Sequence, residues 1–225
     1  MATERRLESA RVKVGSRSGG QEARDESPGP RSAALARKTR ETNIAIRLEL
    51  DGAGRSTIAT GVPFLDHMLE SFARHGFFNL SVKAEGDLEI DDHHTVEDVG
   101  IVLGRAFKQA LGDRAGIKRF GNATVPLDEA LLSAVVDISG RSYLAYNVRI
   151  KQERVGRFQT VLVQDFMKAF ADQVEMNLHL DMHSGRNPHH IIEACFKALA
   201  RAMDQATSLE PRAHGIALST KGTLS

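Results

Sequence analysis

The chain has 225 residues, a net charge of +1, 41% hydrophobic residues and 26% charged residues. That balance describes a globular domain with a real core and gives no field for nucleic acid or a membrane surface. No apolar run approaches the roughly 20 residues needed to span a bilayer. The single cysteine, Cys195, excludes an intrachain disulfide and, with no secretory pattern, points to the cytoplasm.

Residues 1–36 read as a flexible or disordered extension. Met1–Arg11 could form a helix, and the stretches 15–20 and 27–30 have linker composition. Its arginines hint at a transit peptide, but Glu4, Glu8, Glu22, Asp25 and Glu26 argue against one. The folded region is expected to start near Arg37 and run to 225. Thr42–Leu50 alternates, with Ile44, Ile46, Leu48 and Leu50 on one face, so it is a strand. Asp51–Gly54 is a turn, after which Arg55–Thr60 is expected to pair back as a hairpin. Pro63 opens a helix that runs to about Arg74. Phe77–Ala84 is a strand. Asp91 and Asp92 stand where N-caps belong, before a helix from His93 to Leu111 that Gly112 stops. Gly100 and Gly104 weaken that helix and are expected to admit close packing of another element. Strands follow around 121–126, 131–138 and 142–150, then a helix over 160–173, a strand over 175–181 and a helix from Pro188 to Ala206. Residues after Glu210 read as a tail.

The chain repeats itself. His93-His94 followed by Glu97 recurs as His189-His190 followed by Glu193, at an offset of 96 residues (189 − 93). Leu103, Arg105, Ala106, Gln109 and Ala110 match Leu199, Arg201, Ala202, Gln205 and Ala206 at the same offset. Upstream, after a two-residue gap, Phe72-Ala73 aligns with Phe170-Ala171 and Asn79-Leu80 with Asn177-Leu178. His67 then lies opposite Asp165. The expected fold is α+β: two tandem half-domains, about 37–125 and 126–214, with a C-terminal tail over 215–225. Each half carries a small mixed or antiparallel sheet and two helices, and the halves pack by their sheets as a layered sandwich.

Imidazole and carboxylate are ligands of first-row divalent metals. Adjacent histidines on a helix point about 100° apart, so a doublet cannot serve one ion, whereas His93 and Glu97, or His189 and Glu193, share a face. The neighbouring His94 and His190 are then offered to another ion. With His67 and Asp165 the candidate ligands are His67, His93, His94, Glu97, Asp165, His189, His190 and Glu193, enough for two ions with positions left open. Arg119 or its neighbour Lys118, which the pattern does not separate, Arg141, Lys197 and the run Ser219-Thr220-Lys221-Gly222 lie near polar turns or on the last helix and suit phosphate oxygens. Cys195, between Ala194 and Phe196, reads as core. There is no Walker loop and no dinucleotide glycine fingerprint. A binuclear metallohydrolase would use the same ligands. A metal store would leave the basic residues unexplained.

These residues resemble the imidazoleglycerol-phosphate dehydratase family. The resemblance rests on Arg40-Glu41-Thr42, Gly61-Val62-Pro63-Phe64-Leu65-Asp66-His67-Met68, the segment Asp91–Asp98, His189-His190 with Glu193, and Ser219-Thr220-Lys221-Gly222. It implies dehydration of D-erythro-imidazole glycerol phosphate to imidazole acetol phosphate, the sixth step of L-histidine biosynthesis, through a metal-bound imidazolate and a diazafulvene-like intermediate. It implies two manganese ions per active site and a homo-oligomer of twenty-four subunits with active sites at subunit boundaries. The family's metal ligands fall on the eight residues above, and its phosphate contacts on Arg119, Arg141, Lys197, Ser219 and Lys221. The substrate-contacting set implied also includes Glu41, His67, His93, Glu97 and His189, with His75 at the edge of the substrate region. Glu41, Glu97 and Glu193 are the candidates to move the proton. One departure is visible: many members have histidine, and others glutamate, where this chain has Asp165.

Overall fold

The computed structural model describes residues 31–224. Residues 1–30 and 225 lie outside the described residues, and with them most of the expected extension and the helix considered at Met1–Arg11. The first half comprises β1 (Ser32–Lys38), β2 (Thr42–Glu49), β3 (Ser56–Ala59), α1 (Pro63–His75), β4 (Asn79–Gly86) and α2 (His93–Leu111). The second comprises β5 (Phe120–Leu127), β6 (Ala130–Asp137), β7 (Tyr143–Asn147), a small hairpin β8 (Arg154–Val155) and β9 (Phe158–Gln159), α3 (Leu162–Val174), β10 (Asn177–Ser184) and α4 (Pro188–Thr207).

The repeat is written into the topology. One sheet has the order β1-β2-β4-β3 and the other β5-β6-β10-β7. In each, the first three strands are antiparallel and the last, β3 or β7, runs parallel to its neighbour. The repeated Asn-Leu has a local reason. Asn79 Oδ1 accepts from the backbone N–H of Ala53 and Arg55, and Asn177 Nδ2 donates to the Arg141 carbonyl at 2.7 Å. Each asparagine thus opens its strand by clamping the turn that feeds the edge strand.

Several expectations are corrected. Among the described residues a strand already runs from Ser32, inside the stretch read as extension, because β1 pairs along its whole length with β2. Only Ala33 of β1 is fully buried, so the strand lacks a strong alternating signal of its own. The segment Arg55–Thr60 does contain a strand, but β3 pairs with β4 and not back onto β2, since β2 is already flanked by β1 and β4. The halves divide in the connection 112–119, not at 125/126, which falls inside β5. Among the described residues the hairpin β8–β9 has no counterpart in the first half.

The halves meet through helices and not through sheets. α2 lies on β1 and β2 and against α3, while α4 lies on β5 and β6 and against α1. The four helices are therefore the middle of the sandwich, with each sheet outside. The seam is aromatic: Phe107 of α2 packs edge-on against Phe170 of α3, with ring centroids 5.4 Å apart, and also against Phe72 and Phe78. The glycines of α2 serve this seam. A methyl group at Gly104 would lie 2.7 Å from the Phe170 carbonyl oxygen, and one at Gly100 would lie 2.9 Å from that of Phe166. Among the described residues no helix is long and apolar enough to cross a membrane.

Candidate active site

Both histidine doublets sit on the first turn of a helix, held there by the same device. Asp91 Oδ1 accepts the His93 backbone N–H at 2.8 Å, and Asn187 Oδ1 accepts that of His189 at 3.0 Å. Such caps satisfy a helix N–H that has no partner within the helix. For α2 the bond comes from Asp91; Asp92, at the cap position itself, makes no such bond. The buried stripes of both helices begin just beyond, at Thr95 and Ile191, so the doublets emerge where each helix leaves the core.

Because α1 crosses α4, His67 comes to the second cassette. His189 Nε2 lies 3.1 Å and His67 Nε2 3.6 Å from Glu193 Oε2. Donor atoms of these three residues all lie within 4.8 Å of one another. The other carboxylate oxygen of Glu193 accepts from Lys197 Nζ at 2.8 Å, one helical turn on. Burial alone would raise the Glu193 carboxyl, but Lys197, His67 and His189 together hold it below its ordinary value. Phe64 packs edge-on against His189, and Phe158 of the β8–β9 hairpin packs on Phe64, giving the cluster an apolar wall. His75, at the end of α1, has its pKa lowered by burial and then by the Lys197 charge.

The crossing of α3 and α2 makes the repeat-related cluster. His93 Nε2 lies 3.8 Å from Glu97 Oε2, and His93 Nδ1 lies 3.6 Å from Asp165 Oδ2. Here the two carboxylates address opposite nitrogens of one ring, so this trio does not converge as the first does. Its acid on α3, Asp165, stands where α1 has His67.

His94 and His190 join neither trio. His94 Nδ1 is 3.0 Å from Asp87 Oδ2, and its Nε2 is 4.0 Å from Glu41 Oε1. His190 Nδ1 is 2.8 Å from Glu129 Oε2, and its Nε2 is 3.7 Å from Asp128 Oδ2. The hydrogen bonds to Asp87 and Glu129 raise the pKa of His94 and His190 respectively. The partner Glu129 is correspondingly lowered to about 2, by His190 first and then by backbone N–H donors. Glu41 itself is exposed on the β1–β2 turn.

Four of the five phosphate candidates share one cleft of about 560 Å³, lined by Arg119, Arg141, Ser219 and Lys221. Arg119 is fixed on three sides: Nε and Nη2 donate to Asp137 at 2.6 and 3.0 Å, and Nη1 donates to the Leu218 carbonyl at 2.7 Å. The segment read as a tail is thereby docked, and a second arginine, Arg114, holds the Leu224 carbonyl. Lys197 does not line this cleft within one chain; it stands on Glu193. Cys195 is fully buried, and burial pushes its thiol pKa up, in keeping with a core role. Asp87, Asp128 and Glu129 were absent from the sequence-based set. The signal for Glu129 was present, since it occupies the β5–β6 turn as Glu41 occupies the β1–β2 turn.

Known proteins agree with this architecture. The sequence profile described as imidazoleglycerol-phosphate dehydratase matches residues 60–203. The imidazoleglycerol-phosphate dehydratases of Pelobacter propionicus and Geobacter sp. (strain M21) are 59% and 58% identical over 194 residues, 86% of this chain and 99% of each relative. The crystal structure of the Staphylococcus aureus N315 dehydratase superposes with a TM-score of 0.73 at 38% identity, covering 80% of this chain and 99% of that one. The Pyrococcus furiosus enzyme in complex with (S)-C348 gives a TM-score of 0.73 at 36% identity, over 84% of this chain and 99% of that one. With two repeated half-domains, two repeat-related histidine–carboxylate clusters and relatives matched over nearly their full length, the chain belongs to the imidazoleglycerol-phosphate dehydratase family, hydro-lyases of histidine biosynthesis.

Proposed function

We propose that this chain converts imidazole glycerol phosphate to imidazole acetol phosphate and water with two manganese ions per active site. The pair of repeat-related clusters carries this reading. Two donors on one ion, each at about 2.1 Å, can be at most about 4.2 Å apart. The His189–Glu193 and His67–Glu193 separations of 3.1 and 3.6 Å fall inside that limit. In the His93 trio the carboxylates stand 3.8 and 3.6 Å from opposite nitrogens of one ring, so a single ion there would need the ring to turn and the side chains to close in. Imidazole and carboxylate suit a first-row divalent ion, so His67, His189 and Glu193 would hold one and His93, Glu97 and Asp165 the other. Ions bound there would supply Lewis acidity toward the nitrogens of the substrate's imidazole.

The hydroxyl beside the ring must leave as water while the next carbon gives up its proton, and the resulting enol becomes the ketone. Glu41 is exposed and lies outside both trios, with only the looser His94 contact at 4.0 Å, so its carboxylate can carry a proton between those atoms. Glu97 and Glu193 are occupied beside the histidines and are the weaker choices. Arg119, Arg141, Ser219 and Lys221 would grip the phosphate and so orient the reacting end. His94 and His190 face away from both trios of their own chain. That supports an assembly whose neighbours complete each site, in line with the twenty-four subunits implied by the resemblance. The free buried thiol suits a cytoplasmic location.

The test is formation of imidazole acetol phosphate by metal-stripped protein, with and without manganese, beside a generic phosphomonoester. Turnover restored by manganese on the imidazole substrate alone supports the reading. Phosphoester cleavage would replace it with a metallohydrolase, and no turnover by folded, manganese-loaded protein would end it.

A further inference from the structure

Two carboxylates outside the expected ligand set stand behind the two histidines that leave their own clusters. We propose that Glu129 and Asp87 are positioning residues that hold His190 and His94 in the one ring tautomer able to bind a metal through Nε2. The inference rests on the manganese reading above and extends it to residues that touch no ion.

The chemistry follows from the donors and acceptors. An ionised carboxylate only accepts, so the ring nitrogen facing it must carry the proton. Glu129 Oε2 faces His190 Nδ1 at 2.8 Å, and Asp87 Oδ2 faces His94 Nδ1 at 3.0 Å. In a neutral ring with Nδ1–H, the lone pair is left on Nε2, where the facing acids, Asp128 for His190 and Glu41 for His94, stand off at 3.7 and 4.0 Å, beyond hydrogen-bond reach. A carboxylate behind a ligating imidazole also fixes the plane of the ring and raises its basicity.

Glu129 does more than meet a ring. Its Oε1 accepts the backbone N–H of Asn187 at 2.7 Å and of Arg186 at 3.1 Å, and its carbonyl accepts from Ser184 Oγ at 3.0 Å. One side chain therefore holds the loop that launches α4 with one oxygen and aims His190 with the other. A plain loop clamp would need only the first. Asp87 reaches the same outcome from elsewhere in the repeat. It lies in the β4–α2 connection, whereas Glu129 lies in the β5–β6 turn. The histidines are related by the repeat and the carboxylates are not. The same device thus arises twice by different routes, which a passive inheritance of packing does not explain.

The experiment is manganese binding to the intact, metal-stripped protein, read from the electron paramagnetic resonance of free ion. The melting temperature of the metal-free protein is measured alongside. Glu129→Gln is the informative variant. Its amide oxygen can keep the two backbone N–H bonds, while its NH2 group turns to His190 Nδ1 and drives the ring proton to Nε2. Manganese binding at the affected site should weaken about 10–100-fold with the metal-free melting temperature unchanged. Asp87→Asn should do the same through His94. In the double variant with His190→Ala, Glu129→Gln should add little, because its effect passes through that ring. Wild-type affinity in Glu129→Gln, a full additive loss in the double variant, or a fall in metal-free melting equal to that of Glu129→Ala would each overturn the proposal. Failure of the wild-type protein itself to bind manganese would instead sink the metal reading, and this inference with it.

Discussion

Replacing Gly104 with alanine sets two known effects against each other, and the structure decides between them. In an exposed helix the change favours the helix by about 1 kcal/mol. At this position the new methyl would meet the Phe170 carbonyl oxygen and Gln173 Cβ, both at 2.7 Å. Comfortable contact needs about 3.5 Å, so α2 and α3 must part by nearly 1 Å, a gap that forfeits a quarter to a half of each lost contact's attraction. Overpacking a tight seam costs about 1–3 kcal/mol, and backbone neighbours that cannot rotate away put this site near the top of that range. The net expectation is a loss of about 2 kcal/mol. It is read from urea unfolding of the metal-free protein at fixed concentration, with an unchanged slope. A second readout follows, because α2 carries His93 and Glu97 while α3 carries Asp165. Spreading the helices should weaken that trio and leave His67, His189 and Glu193 in place. A Gly104→Ala protein more stable than wild type would show that the seam is looser than described, and would refute the reasoning.

Three further outcomes are expected. Arg119→Lys should raise KM about 10–100-fold with kcat little changed, because one ammonium cannot span Asp137, the Leu218 carbonyl and a phosphate; steady-state kinetics with varied substrate read this. Asp165→Ala should remove the ion of the His93 trio and leave the other, so metal analysis should show manganese halved and not abolished. The Glu175 carboxyl is lowered first by its Lys108 hydrogen bond and then by that of Arg114. A carboxyl depressed in the folded state contributes stability above its unfolded value, near 4.5, and loses it as pH falls through the lower folded value. The melting difference between wild type and Glu175→Gln should therefore be full above that range and shrink below it, and an increase on acidification would contradict the assignment.

What could be read from sequence here was local. The alternation in β2 and the stripes of α1, α2 and α4 each report burial of a single element, and the structure has them within a residue or two of the expected ends. The offset of the doublets foretold the repeat because both histidine pairs and both glutamates recur, with Asn-Leu repeated upstream. Long-range pairing was the part sequence could not carry. β1 is held by β2, and its own residues, with one fully buried alanine, look like tail. Whether β3 turns back on β2 or joins β4 depends on which edge is free, and no pattern within six residues records that. The helical seam between the halves was missed for a related reason. An apolar helix face states that something covers it, but not whether the cover is a sheet or another helix. At the site, the trios were legible as residue types, while Asp87 was not, since a loop acid aimed at a ring looks like any surface charge; Glu129 could have been found only through its repeat relation to Glu41.

The crossing of α1 with α4 and of α3 with α2 has an evolutionary meaning. Neither half owns a complete trio: His67 belongs to one half and its partners His189 and Glu193 to the other, and Asp165 is separated in the same way from His93 and Glu97. Two identical copies of a single ancestral half, paired through these helices, would already enclose both trios. Joining them end to end through the connection 112–119 would turn a concentration-dependent pairing into an intramolecular one. It would also let the two trios diverge, which is the freedom seen in the imidazole on α1 and the carboxylate on α3. The same geometry sets a condition for splitting the chain there. Each fragment should lack metal affinity alone and regain it only when the other is present.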